Sequence, residues 1–286
     1  MKIRKYTVWL FYLISINVFS AASSGTNVVR TIEYPEVLAP NIFENNEFVM
    51  SHQFGFDQAF SYVSDLESYW TYSSLYYYGT TARATLGARV NSSHRYSTTA
   101  VQYELQAYPK LFYGSYAAID FSYANQSQTL FPGYQYRVEG YFNLWRQMEF
   151  SIGQGGSFFP QFSGNRFFMY TASLGKYSGN YFFWVRPYYY TPLSNQLYEI
   201  GIRKTFNDPN SYLSLVANVG HMPDIGNLPP LDNLITMQQK GVALSGQVPF
   251  NQYLFLKGTV SYDHQVYPAG LMRDITTAYL GVYIKC

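Results

Sequence analysis

Apolar and polar residues alternate with a period of two along most of this sequence. The pattern is clear in residues 84–90, 99–108, 134–143, 147–152 and 254–261. Successive side chains of a β-strand point to opposite faces, so this alternation indicates strands that present one apolar face and one polar face. No segment shows the i, i+3, i+4, i+7 spacing of an amphipathic helix.

About fourteen such segments can be counted. They are predicted to begin near Glu47, Ser68, Ala82, Ser97, Tyr113, Gly133, Gln147, Arg166, Gly179, Gln196, Ser211, Thr236, Asn251 and Asp274. The connections between them alternate in length: residues 59–67 and 124–132 are long, whereas 79–81 and 144–146 are short. Unequal ends are typical of an outer-membrane barrel, which has short periplasmic turns, longer external loops and an even number of strands.

Composition excludes several other classes of protein. Charged residues are only 13% of the chain, about half the usual fraction, while aromatic residues reach 20%. Low charge with 48% hydrophobic residues argues against disorder, and a single cysteine, Cys286, excludes a disulfide scaffold. With 19 Lys and Arg against 17 Asp and Glu, the chain is not a strongly basic nucleic-acid binder.

The N-terminus has the features of a secretory signal peptide. Lys2, Arg4 and Lys5 precede a mostly apolar run from Tyr6 to Phe19, and small residues follow at 20–22. We predict a cleavable signal over 1–22. The alternative is a transmembrane anchor, but the apolar run is shorter than the roughly 20 residues that a spanning helix needs. The remaining chain has no second apolar run of that length.

These observations predict an exported, all-β protein that forms a transmembrane antiparallel up-and-down β-barrel of about 14 strands, with 12 as the alternative count. Residues 23–46 are predicted to be an irregular periplasmic N-terminal segment, and 47–286 the outer-membrane barrel. Aromatic triplets at 76–78, 182–184 and 188–190 are predicted to form girdles at the membrane interfaces. A soluble β-sandwich is the competing fold.

The C-terminal residues point to insertion into the outer membrane. The spacing Tyr279-x-Gly281-x-x-Ile284-x-Cys286 is that of the insertion signal, although Cys286 stands where an aromatic residue is usual. Cys286 is interpreted as a small hydrophobic residue on the face of Leu280 and Ile284. The barrel-insertion machinery is therefore an expected partner, together with outer-membrane lipid, in a Gram-negative bacterium.

Several motifs are similar to the YaiO family of outer-membrane β-barrels. They are Tyr108-Pro109-Lys110-Leu111, Leu130-Phe131-Pro132 and, most specifically, the stretch from Ser173 to Pro192, which includes Ser173-Leu174-Gly175-Lys176-Tyr177-Ser178-Gly179-Asn180-Tyr181 and Arg186-Pro187-Tyr188. The resemblance implies an outer-membrane barrel and little about activity. Some relatives carry a helical-repeat region before the barrel, for which this chain is too short.

Charged residues on the polar face are the candidates for a functional lumen. The predicted lumen-facing set is Arg83, Arg89, Glu104, Asp120, Arg137, Glu139, Glu149, Arg186, Glu199, Arg203 and Lys257. Their near-balanced charges could fill the interior as ion pairs or line a water-filled channel. Pro187 predicts a bulge in its strand, which would aim Arg186 into the lumen.

No arrangement of residues predicts a catalytic, cofactor or metal site. The sequence lacks a Gly-x-Ser-x-Gly elbow, and His94, His221 and His264 are interpreted as polar loop residues. The leading hypothesis is a channel or passage component for small or saccharide solutes. Alternatives are a plugged structural or surface-interaction barrel and, less favoured, a lipid- or glycan-modifying outer-membrane enzyme. A saccharide is an expected ligand, and nucleic acid is not.

Overall fold

The computed structural model describes residues 51–112, 114–125, 130–144, 147–159, 165–208, 210–224, 236–268 and 270–286. The predicted signal peptide at 1–22 and the predicted N-terminal segment at 23–46 lie outside this part of the chain. The first four residues of the predicted barrel, 47–50, lie outside it as well.

Fourteen antiparallel strands close into one barrel, in which each strand pairs with its neighbours in sequence and β1 pairs with β14. The strands are β1 (Ser51–Val63), β2 (Ser68–Thr80), β3 (Ala84–Arg95), β4 (Thr98–Pro109), β5 (Tyr116–Ala124), β6 (Tyr134–Leu144), β7 (Met148–Phe159), β8 (Asn165–Ser178), β9 (Tyr181–Thr191), β10 (Asn195–Thr205), β11 (Tyr212–Pro223), β12 (Thr236–Pro249), β13 (Leu254–Val266) and β14 (Met272–Lys285). The predicted fold class and the count of fourteen are confirmed. Among the described residues, no helix is long and apolar enough to cross a membrane.

Strand register fixes the width of the barrel. Starting from one residue of β1 and moving to its paired residue on each strand in turn, one comes back to β1 at a position about 14 residues farther along the chain. This stagger, the shear number of the barrel, therefore equals the number of strands. This ratio gives strands tilted by about 36° from the axis. With strands about 4.8 Å apart, opposite backbones lie about 26 Å from each other. A barrel of this width is intermediate between side-chain-filled and wide-channel barrels.

The two faces of the sheet have opposite character. On β4, for example, Gln102 and Glu104 point inward and are buried, while Tyr103 and Leu105 point outward and are exposed. The same alternation runs through the other strands, so large hydrophobic residues cover the outside. An apolar outer wall around a polar interior is the pattern of a barrel surrounded by lipid.

Inward glycines make room for aromatic rings that lie along the inner wall. A Cβ on Gly201 of β10 would collide with the indole of Trp184 on β9, and one on Gly55 of β1 would collide with the ring of Tyr76 on β2. These glycines are therefore required by the packing of the interior.

The two ends of the barrel differ less than the sequence predicts. Both chain ends of the barrel lie at one end, here called the terminal end. The other end, here called the loop end, is where the strands flanking 64–67, 96–97, 125–133, 160–164, 192–194, 224–235 and 267–271 stop and start. The connections at 96–97 and 192–194 are as short as those at the terminal end, and β1 extends to Val63. The prediction that long and short connections alternate therefore does not hold at every connection. The reason is that several strands continue into polar residues that the sequence analysis assigned to loops.

The predicted bulge at Pro187 is absent. Pairing of β8 with β9 stops between Thr171↔Tyr188 and Leu174↔Val185, but the register is the same on both sides of this gap. Thr171 Oγ1 donates to the carbonyl of Pro187 at 3.0 Å. Proline removes one backbone donor without displacing the strand, so Arg186 faces inward by ordinary alternation and not through a bulge.

Replacing Gly201 with alanine is expected to destabilise the barrel by about 1–3 kcal/mol, because the new methyl group displaces Trp184 from the wall. The measurement is urea unfolding in lipid vesicles, followed by heat-modifiable gel mobility. Gly258→Ala is the matched control, since its Cβ would have no neighbour nearer than 3.9 Å. Equal unfolding midpoints for the two variants would contradict the packing role of Gly201.

Candidate functional site: the lumen and its loop-end mouth

Ten of the eleven predicted lumen residues point inward; they are Arg89, Glu104, Asp120, Arg137, Glu139, Glu149, Arg186, Glu199, Arg203 and Lys257. The exception is Arg83, which lies exposed in the turn before β3. Strand alternation does not fix the direction of its side chain there, so its place in the lumen stays a prediction.

A hydrogen-bond network joins the inner faces of β2, β3 and β4. Its hub is Asn91, which donates to Gln102 and Glu104, each at 3.1 Å. Asn91 also accepts hydrogen bonds from Ser74 at 2.9 Å and from Tyr72 at 2.7 Å. All of these groups are wholly or largely buried, so the network satisfies polar atoms that would otherwise be costly inside the barrel.

Arg89 extends this network to β1. Its guanidinium lies 3.3 Å from the carboxylate of Asp57 and 4.8 Å from the ring centroid of Tyr76. It also stands directly opposite Glu104 in the register of β3 and β4. Arg89 therefore has two acidic side chains beside it and one aromatic face under it.

The most deeply buried ion pair joins β6 to β9. Arg186 Nη1 lies 2.9 Å from Glu139 Oε1, and neither side chain has any exposed surface. Ser151 on β7 donates to the same carboxylate at 2.6 Å and shares a 2.6 Å hydrogen bond with Ser173 on β8. Arg186 thus faces the lumen as predicted, and there it forms an ion pair whose hydrogen-bond network includes residues of β6, β7, β8 and β9.

Other charged candidates are held by neighbours on adjacent strands. Arg137 Nε lies 2.6 Å from Asp120 Oδ2, and Glu199 accepts a hydrogen bond from Trp184 Nε1 at 2.9 Å. Arg203 lies 5.0 Å from the ring of Tyr212. Positive and negative groups are both distributed around the inner wall, so the lumen has no single-sign field.

Aromatic rings form a column along the inside of β9. Phe182, Trp184, Tyr188 and Tyr190 all point inward, with Arg186 at the centre of the column. The rings of Phe182 and Trp184 are stacked with centroids 5.5 Å apart, and those of Tyr188 and Tyr190 are stacked at 6.5 Å. The column extends along nearly the full length of the strand.

This column corrects the prediction that aromatic triplets form interfacial girdles. Within each triplet only the central residue, Tyr77, Phe183 or Tyr189, points outward. The other two residues of each triplet face the lumen, because neighbouring residues in a strand alternate between faces.

At the loop end, a tryptophan between two arginines closes part of the mouth. Trp70 on β2 has no exposed surface, and the guanidinium groups of Arg95 and Arg273 lie 5.1 and 5.7 Å from its ring. Asp65 accepts two hydrogen bonds from Arg273, at 2.8 and 2.7 Å. We refer to Trp70, Arg95, Arg273 and Asp65 as the mouth cluster.

The mouth cluster reaches the start of the connection after β11. Tyr267 forms a hydrogen bond with Asp224, and the negative charge of Asp224 also lies near Arg95. Burial raises the pKa of Tyr96, in the turn between β3 and β4, to about 12, so its phenol is neutral at physiological pH. β3 and β11 lie well apart in the ring, so these contacts cross the mouth.

Several residues of the lumen and mouth were missed from the sequence. Asp57, Asp263 and Arg273 are buried inward-facing charges in strands β1, β13 and β14. Strand alternation could have identified all three. Asp263 was missed because its segment was interpreted as a loop, and the other two because a single charge in a segment does not form a motif. His94, His221, His264 and Asp274 also lie in strands and not in loops.

The outward face carries few charges, and these lie near the strand ends. In the described strands they are Arg166, Lys176, Lys204, Lys240 and Asp274. His264 Nδ1 lies 2.8 Å from Asp274 Oδ1. A belt without charges between two charged rims fits the hydrocarbon layer of a membrane. Cys286 is free and exposed at the terminal end, where its backbone pairs with His52.

The sequence matches the family described as "YaiO membrane beta barrel domain" over residues 51–225. The chain belongs to the YaiO membrane β-barrel family. The resemblance inferred from the sequence motifs is confirmed, and the protein is a membrane β-barrel of the outer-membrane architecture. No curated protein matches this sequence.

Solved structures with a similar fold are porins and other outer-membrane barrels. A bacterial polysaccharide outer-membrane secretin has a TM-score of 0.51 at 7% identity, covering 82% of this chain and 97% of the other. Omp33 of Acinetobacter baumannii has a TM-score of 0.47 at 12% identity, covering 82% and 99%. An anion-selective porin from Comamonas acidovorans has a TM-score of 0.44 at 9% identity, covering 84% and 100%. Of these three similarities, only that to the secretin has a TM-score above 0.5, and at 7% identity it establishes the fold alone.

In the described part of the chain, no group of three or more His, Cys, Asp or Glu side chains is arranged to hold a metal ion. The four histidines lie on the outward face, where His52 contacts Tyr77 and His94 contacts Thr99. None of these contacts places a serine beside a histidine.

Arg186→Met is expected to cost about 3–5 kcal/mol, because it leaves the Glu139 carboxylate buried without its cation. Arg203→Met should cost less, since that side chain is only half-buried. Unfolding in urea measures both. The double variant Arg186→Met/Glu139→Leu should recover much of the loss, and a double variant as unstable as the single one would contradict the assignment of the cost to the unpaired carboxylate.

Proposed function

We propose that this barrel is an outer-membrane passage component for saccharides. The observation that carries the proposal is the inward aromatic column on β9, with Arg186 at its centre. Sugar rings have apolar faces that stack on aromatic rings and hydroxyl groups that need hydrogen-bond partners. The column on β9 offers aromatic faces of this kind beside polar groups. In the present structure Tyr188 and Tyr190 are buried against Phe159, Phe167 and Leu197, so a sugar would reach them only when these side chains move apart.

The charge of the lumen supports an uncharged or weakly charged solute. Positive and negative groups are paired at Asp57–Arg89, Asp120–Arg137 and Glu139–Arg186. A lumen without a single-sign field does not select strongly for cations or anions. The similar solved barrel named for a polysaccharide is consistent with the proposal, but contributes only the fold.

We further propose that the barrel lies in the outer membrane of a Gram-negative bacterium, after export by a cleavable signal peptide. In that orientation the terminal end is periplasmic and the loop end is external. The mouth cluster around Trp70 then stands at the external entrance. The pairing of Arg273 with Asp65 inside the cluster, and the charge of Asp224 near Arg95, hold it across the route between the aromatic column and the outside.

A second candidate is a barrel with a plugged lumen and a structural or surface role. The observation in its favour is the complete burial of inward charged groups such as Arg186 and Glu139. A wide water-filled channel would leave such groups in contact with solvent. The two candidates therefore differ in whether solutes can pass the packed interior.

Single-channel conductance in a planar bilayer separates these candidates. Protein extracted from membranes is expected to give steps that shrink as oligosaccharides are added. If the wild type is silent, Trp70→Ala tests whether the mouth cluster is the barrier, with the outward neighbour change Tyr69→Ala as control. If neither the wild type nor Trp70→Ala conducts, although heat-modifiable mobility shows that both are folded, passage is excluded and the plugged barrel is favoured.

The aromatic column makes a separate prediction. Tyr188→Ala should weaken oligosaccharide block several-fold, because it removes a stacking surface from the lumen. Tyr189→Ala is the matched control, since that side chain is the next residue and points outward. Equal block in both variants would show that the column does not contact the solute.

A further inference from the structure

A polar patch without Asp, Glu, Lys or Arg interrupts the apolar outer wall on one side of the barrel. It consists of Gln58 on β1, Thr71 and Ser73 on β2, and Ser92 and His94 on β3. The strand registers place Gln58 beside Ser73, Ser73 beside Ser92, and Thr71 beside His94. All five side chains point outward, so the patch is continuous over three strands.

The patch begins near the middle of the barrel wall. Gln58 lies near the centre of β1 (Ser51–Val63), and the rest of the patch extends from there towards the loop end. At comparable positions on β9 to β11, the outward residues are the exposed apolar side chains Val185, Ile200 and Leu215. The wall is therefore bulky and apolar on that side and polar on this one.

The carboxamide of Gln58 is only partly satisfied within its own chain. Its Oε1 accepts a hydrogen bond from Ser73 at 2.7 Å, and its Nε2 donates a long hydrogen bond of 3.3 Å to the carbonyl of Ala59. A glutamine amide has two hydrogens to donate, and the second has no acceptor among the described residues. Lipid chains offer no acceptor, so this donor favours contact with another protein surface.

Small side chains flank Gln58 on the side of β2 and β3. Ser73 on β2 and Ser92 on β3 stand in register with it, whereas Leu280 on β14 and Phe60 on β1 are large, exposed and apolar neighbours on its other sides. Within membranes, protein interfaces are enriched in small residues that let backbones approach and in polar residues that form hydrogen bonds across the contact. The two serines of the patch match both features.

A second copy of the chain fits this surface best. A glutamine carboxamide has donors and an acceptor, so two copies of Gln58 can pair with each other across a two-fold axis. The outward face of β14, β1, β2 and β3 is about 19 Å wide and about 25 Å tall. Burying it on both copies gives an interface of about 1,000 Å², which is the lower bound for a specific contact.

We propose that the barrel forms a symmetric dimer through the polar patch, with Gln58 at the two-fold axis. The contact lies on the lipid side of the wall, so it leaves both lumens separate. It is independent of whether solutes pass through the barrel.

The mass of the protein extracted in mild detergent tests the proposal, measured by native mass spectrometry with folding checked by heat-modifiable mobility. The wild type is expected to be a dimer, and Gln58→Leu is expected to raise the dissociation constant roughly tenfold. Gln154→Leu is the matched control, because Gln154 is also an outward glutamine near mid-strand, on β7, where it donates to Tyr136. A monomeric wild type, or equal effects of the two changes, would overturn the proposal.

Cross-linking in intact membranes provides a second readout that does not depend on detergent. With Cys286→Ser as background, Ser73→Cys should give a cross-linked dimer with a short bis-maleimide. Ala172→Cys, an outward position on β8 at similar height, should not. Cross-links at both positions or at neither, or a product containing a different protein or only bound lipid, would contradict a second copy as the occupant.

Discussion

Closure of the sheet is the constraint on which the rest of this structure depends. Inside a bilayer, every backbone N–H and C=O group must find a partner within the protein, and an open sheet would leave two edges exposed to lipid. Pairing of β1 with β14 removes both edges. Once the ring is closed with a stagger equal to its strand number, the tilt and the width of the barrel are fixed, and so is the direction of each side chain.

Because of that geometry, the alternation of polar and apolar residues along each strand places the polar side chains inside the barrel and the apolar ones outside. Charged residues that would be costly in lipid face the lumen, where Asp57, Glu139 and Asp120 each meet an arginine on another strand. Removing these groups from water is costly, and the pairing with neighbouring hydroxyls and amides offsets that cost. The interior is therefore held together by polar contacts, while the outer wall needs only to be apolar.

The same geometry links the aromatic residues to the proposed function. A ring on an inward position can lie flat on the wall only where the neighbouring strand has a glycine, as Trp184 does against Gly201. The resulting column on β9 runs to the loop end, where Trp70 lies between its two arginines. On the outside, the polar patch around Gln58 breaks the apolar belt and indicates a contact between protein surfaces.

The sequence by itself determined the barrel, the number of strands and the inward direction of ten charged residues, because alternation is a local property. The same local rule separates Tyr188 from Tyr189. The sequence could not determine where strands end, since His94 and Asp274 continue the ladder with residues typical of loops. Nor could it pair Arg186 with Glu139, because that contact depends on register, which aligns residues far apart in sequence and is set only when the whole ring closes.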